Sequence, residues 1–218
     1  MKIIFIADFF VEQIPGGGEL NNEEVIKILN VNSNVIKKQS HLVSLSFLRD
    51  NKHCKFIIAN FVNLAPLEKK FIQENCDYII YEHDHKYLPN RNPAKYHNFI
   101  APKSSIINYN FYKNAKKVLC QTQFHKNIVD SNLNLKNTIN LSGNVWSLDS
   151  LNKIKLFCDV KKDSLCAIMN SEILHKNTLA SIEYCRKTNK KFKLIDKMEY
   201  HNFLKELSSC DTFVFLHF

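Results

Sequence analysis

Arginine is scarce in this 218-residue chain: of 30 basic residues, only Arg49, Arg91 and Arg186 are arginines. Readers of nucleic-acid bases lean on the bidentate guanidinium, so this scarcity weakens a nucleic-acid reading despite a net charge of +9 and a pI near 9.1. The lysines are also dispersed, with doublets such as Lys37-Lys38 and Lys116-Lys117 but no basic block. That pattern fits a solvated basic surface better than a polyanion footprint. The seven cysteines form no C-x-x-C pair, which excludes a standard zinc ribbon or finger. Their odd number fits reduced thiols in a cytoplasmic compartment better than a disulfide framework. No apolar run approaches the roughly 18–20 residues of a membrane span. The run Ile3–Ala7 is too short for a signal-peptide core and lacks a small-residue cleavage site after it.

What is present is an ordinary globular mixture, 45% hydrophobic and 23% charged. Short apolar runs alternate with amphipathic stretches. Strands are expected at Lys2–Ala7, Cys54–Asn60, Asp77–Tyr81 and Lys117–Gln121, and helices near Asn22–Leu29, Pro66–Asn75, Pro102–Ala115 and Phe124–Ser131. A second round follows Trp146: helices at Ser147–Phe157, Thr178–Thr188 and Tyr200–Ser208, strands at Ser164–Asn170, Phe192–Asp196 and Thr212–Leu216. This alternation predicts an α/β fold with parallel strands. The expected division is a complete domain over residues 1–155 and the partial start of another over 156–218. If the second is incomplete, Phe213, Phe215 and Phe218 leave apolar surface for association with another copy.

Four stretches carry the chemistry. Three of the four glycines are Gly16, Gly17 and Gly18, between a strand and a helix, where backbone amides approach an anion easily. The segment is neither G-x-G-x-x-G nor a Walker loop. Glu82-His83-Asp84-His85 stands at the carboxyl end of an expected strand, the edge where open α/β sheets bind ligands. It reads either as an H-x-H metal pair without an obvious third ligand, His97 and His125 being scattered, or as a metal-free set for hydrogen bonding and proton transfer. The long loop over Lys86–Pro102 contains Arg91, suited to a phosphate or carboxylate. Ser171–Thr178 places Lys176 at the start of a helix, where a nucleotide diphosphate could be neutralised.

Together these stretches resemble the GT-B glycosyltransferases, of the retaining type that uses nucleotide-sugar donors. The resemblance rests on Lys2–Ala7 leading into Gly16–Glu19, on Glu82–His85, and on Phe111–Val118 leading into Cys120-Gln121-Thr122-Gln123-Phe124-His125. Gly143-Asn144 and the loop His175-Lys176-Asn177 fit the passage into a second domain. The resemblance implies two Rossmann-like domains, the first on the acceptor side with a parallel sheet and the second on the donor side. It implies a nucleotide sugar as substrate, no metal and no resident cofactor, with a saccharide as acceptor; the basic charge would also suit a nucleic acid there. By position, His83, His85 and Glu82 would be the catalytic set, and Gly16, Gly17, Gly18, Arg91 and Lys176 would hold the donor or its phosphates. Ser171 and Glu172 stand where the family carries an Arg ahead of the Lys, and the family's donor-binding Glu-x7-Glu segment, expected beyond the strand at 212–216, is not in this sequence. A glycosyltransferase-derived binding or scaffold module is the second expectation, and a metal-dependent hydrolase built on His83 and His85 the third.

Overall fold

A computed structural model describes residues 1–173 and 176–216 of the chain. His175 and Phe218, singled out above, lie outside the described residues. The chain divides into two units, Met1–Ser147 and Leu148–Phe218.

The first unit is Rossmann-like in general character, with a six-stranded, wholly parallel sheet. In chain order it contains β1 (Lys2–Ala7), α1 (Gly17–Asn30), β2 (Asn34–Gln39), α2 (Leu45–Asn51), β3 (Lys55–Ile58) and α3 (Pro66–Asn75). There follow β4 (Asp77–Glu82), α4 (Tyr109–Asn114), β5 (Val118–Cys120), α5 (Gln123–Leu133) and β6 (Thr138–Asn140). The strand order β2-β1-β3-β4-β5-β6 reverses direction at β1, so the switch point lies between β1 and β3.

Strand alternation explains how the sheet is covered. Ile3, Phe5 and Ala7 join Ile57, Tyr81 and, from α1, Ile26 in one core. Ile4, Ile6, Phe56, Tyr78 and Ile80 face the other way, among Leu48, Ile72, Phe111 and Val129 of α2 to α5. Burying both faces requires continuous apolar runs, which is why β1 reads as Ile-Ile-Phe-Ile. Helix starts follow local chemistry: Pro66 opens α3, and Thr122 Oγ1 accepts the His125 amide at 3.0 Å to cap α5.

The second unit, taken by itself, holds α6 (Leu148–Lys155), β7 (Cys166–Met169), α7 (Thr178–Lys187), β8 (Phe192–Ile195), α8 (Tyr200–Ser208) and β9 (Thr212–Phe213). Its three strands are parallel in the order β8-β7-β9. Among the described residues no helix is long and apolar enough to cross a membrane.

Several expectations are corrected. Helix α1 begins at Gly17, not Asn22, so Gly17 and Gly18 form its first turn rather than a loop; Glu19 in that turn complements the helix dipole. The helix expected over Pro102–Ala115 is a 3-10 turn at Lys103–Ser105 followed by α4, because Asn108 takes a left-handed conformation (φ 55°) between them. The strand expected over Thr212–Leu216 is confined to Thr212–Phe213. Strands β2 and β6 and helix α2 were not foreseen, because Asn34–Gln39 is a polar edge strand and the other two are short.

Candidate functional site

Asp8 follows β1 at the switch point. Its Oδ2 accepts the Val62 amide and its Oδ1 the Asn63 amide, both at 3.0 Å, and Ser40 Oγ also donates to Oδ1. One buried carboxylate thus ties together the loops after β1, β2 and β3 at the carboxyl edge of the sheet. Sequence reasoning missed this residue. The available signal was an acid placed directly after a fully apolar strand.

The end of β4 splits its side chains by the same alternation that builds the core. Tyr81 and His83 turn toward α1: Tyr81 OH donates to Asn21 Oδ1, and His83 Nε2 lies 2.8 Å from Asn22 Oδ1. Gln121, after β5, approaches His83 Nδ1 at 3.1 Å. These partners define the neutral His83 tautomer with its proton on Nε2. Glu82 turns to the opposite face, where Tyr112 OH donates to Oε2. Its Oε1 accepts the amides of Asp84 at 2.9 Å and His85 at 2.6 Å, helped by the left-handed turn at His85 (φ 55°).

His125 is not scattered. As β5 lies beside β4, the first turn of α5 brings the His125 ring to 4.6 Å from the His85 ring, centroid to centroid. His125 Nε2 is buried without a hydrogen-bond partner. His85 Nδ1 is 3.0 Å from Tyr87 OH. Lys86, only 2% exposed, forms an ion pair with Asp84 and lies 3.6 Å from Glu82 Oε1. Arg91 NH1 donates to Asp84 Oδ2 at 2.9 Å, so the long loop is pinned to the strand end.

Burial sets the protonation states. It pushes both His83 and His85 down to about 4, with Lys86 adding to the effect on His83 and His125 to that on His85. Burial alone would raise Glu82, but the Lys86 ammonium and the Tyr112 hydrogen bond outweigh it and hold the carboxyl at about 2. Glu19, in the first turn of α1, is shifted upward, first by burial and then by the charges of Asp84 and Asp8. At neutral pH the strand end therefore carries an ionised Glu82 beside neutral imidazoles. Cys120, by contrast, is pushed up to about 12 by burial and is an inert core thiol.

The structure brings three of the four sequence stretches together. Gly16–Gly18 leads into the helix that holds His83, and Glu82–His85 is joined to Arg91 through Asp84. Gly17 and Gly18 have nothing within 4 Å of where a Cβ would stand, whereas a Cβ on Gly16 would overlap the Glu19 carboxylate. The fourth stretch belongs to the second unit, where Lys176 Nζ lies 5.4 Å over the Phe215 ring. Among the described residues no group of three His, Cys, Asp or Glu side chains is arranged to hold a metal ion. No protein-family model matches the chain, and no curated protein matches it.

Proposed function

We propose that the chain is a GT-B-type glycosyltransferase that moves a sugar from a nucleotide-diphosphate donor to an acceptor without a metal ion. In this reading the six-stranded unit serves the acceptor side, and Lys176 of the second unit neutralises the departing diphosphate. The observation that supports it is the union of the second turn of α1 with the end of β4 through Asn22 and His83. A helix start aimed at the ligand edge of a parallel sheet favours anionic and hydroxylated ligands. Beside it, among the described residues neutral His85 has only Nδ1 engaged, by Tyr87, which leaves Nε2 to meet a sugar hydroxyl. A pKa near 4 suits His85 to orienting a hydroxyl more than to removing its proton at neutral pH.

A second reading, a glycosyltransferase-derived binding module, also has an observation in its favour. Both nitrogens of His83 and both oxygens of Glu82 are already engaged within the protein. They act as struts for the loop. The two readings separate in one experiment with the full chain and a panel of nucleotide sugars. Transfer predicts release of the free nucleoside diphosphate, slowed at least tenfold by His85→Ala, of the size seen for a lost positioning group. A binding module predicts donor-dependent thermal stabilisation with no release. Neither stabilisation nor release would defeat both.

A further inference from the structure

On the α3 side of the sheet, a cavity of about 130 Å³ lies among Phe61, Lys69, Lys86, Leu88, Arg91 and Asn108. Pockets for whole drug-sized ligands run from about 300 Å³ upward, so this one fits a single group rather than a molecule. Its walls are unusual in charge. Three cations converge on it: Lys69 from α3, and Lys86 and Arg91 from two points of the loop after β4.

These cations are not all neutralised within the protein. Lys86 and Arg91 share Asp84, and Lys86 reaches Glu82 at 3.6 Å. Lys86, almost wholly buried, is thus matched by carboxylates, with its Nζ set against Asp84 Oδ1. Lys69 forms no ion pair among the described residues. Its Nζ rests 3.4 Å from Asn108 Oδ1 and 5.5 Å over the Phe61 ring. Burial accordingly lowers the Lys69 pKa, with only a partial offset from Asp8. A half-buried ammonium with no carboxylate at ion-pair distance among the described residues is costly unless an anion joins it.

We propose that this cavity is a phosphoryl-binding site, formed by Lys69, Lys86 and Arg91, with Asn108 holding the loop in place through Lys86 O and Lys69. Donors arriving from α3 and from two points of the loop after β4 match a tetrahedral oxyanion, whose several oxygens accept in different directions; a planar carboxylate is served by two. Lys69 and Asn108 also line a neighbouring groove of about 360 Å³ with Gln73, Tyr109 and Asn110. Amides and an exposed phenol ring there suit the polyhydroxylated body of a phosphorylated sugar. The cavity lies on the opposite face of the sheet from α1 and needs no donor, although it shares Lys86 and Arg91 with the strand-end cluster.

The test is calorimetric titration of the full chain with inorganic phosphate, glucose 6-phosphate, glucuronate and glucose. Glucose 6-phosphate should bind at least about tenfold more tightly than glucuronate, with glucose weakest, and should weaken as salt is raised. Lys69→Met, which keeps the apolar stem, should weaken glucose 6-phosphate about tenfold or more and leave glucose unchanged. Arg91→Gln, at an exposed position, should do the same in a chain whose unfolding transition matches the parent. Equal affinity for glucose and glucose 6-phosphate, or no loss in either variant, would overturn the proposal. So would tighter binding of glucuronate, which would make the cavity a carboxylate site, and so would no binding by any phosphate.

Discussion

His83 Nε2 and Asn22 Oδ1, 61 residues apart in the chain, meet at 2.8 Å and fasten the end of β4 to α1. Because His83 Nδ1 faces Gln121, a single imidazole links three elements of the carboxyl edge. The linkage works only while the ring is neutral: a proton on Nδ1 would point a second N–H at the Gln121 amide nitrogen.

Stability should therefore fall in mild acid. Unfolded, each imidazole titrates near 6.5, whereas burial holds His83 and His85 at about 4 in the folded chain. Between those values the unfolded chain takes up protons that the folded chain refuses, so stability declines as pH drops from about 6.5 to about 4. Going from pH 7 to pH 5 should cost about 1–2 kcal/mol per imidazole. Glu82 adds a separate loss at lower pH, because its contribution is full above the ordinary value of 4.5 and disappears as pH falls toward about 2. Urea unfolding at pH 7.5, 6, 5 and 4 measures the profile, and His83→Gln should flatten its upper part.

Tyr112 holds the second oxygen of Glu82 from the face opposite α1. Tyr112→Phe removes one hydroxyl from a fully buried pair and leaves Glu82 Oε2 without that donor. The expected destabilisation is about 1–3 kcal/mol. The Glu82 carboxyl should also move up from about 2, since one of the interactions holding it down is gone. Denaturant unfolding gives the first, and carboxyl carbon shifts followed through acid pH give the second.

Gly16 and Gly17 should separate in their effects. Gly17 is helical and has open space at its Cβ position, so Gly17→Ala should leave stability unchanged or raise it by up to about 1 kcal/mol. Gly16→Ala instead displaces the Glu19 carboxylate, a flexible side-chain end, at small cost to the fold. Freed from burial, Glu19 should titrate closer to its ordinary 4.5. Unfolding curves and a pH titration of the Glu19 side chain distinguish the two variants.

The readability of the sequence follows from where each signal is stored. Strand β1, α3 and α8 are written locally, in a continuous apolar run, a leading proline and an apolar helical stripe. Strand β2 is an edge strand with only partly buried residues, and Lys37 and Lys38 within it conceal the pattern. The segment Glu82–His85 is legible as a strand-end cluster. Its partners are not, since Asn22, Tyr112 and His125 are distant in sequence and are gathered only by sheet adjacency and strand alternation. For the same reason the cavity around Lys69 could not be read in advance, as one surface lysine among many carries no signal until the fold surrounds it.

If the start of α1 and the end of β4 form one ligand site, backbone amide mapping by NMR, with the full chain titrated by nucleotide-diphosphate sugars, reads it out. The amides of Gly16–Leu20 and Glu82–Lys86 should then shift together with one binding constant, and Gly17→Val should weaken both sets equally. Shifts confined to other segments, or movement of one set without the other, would contradict it.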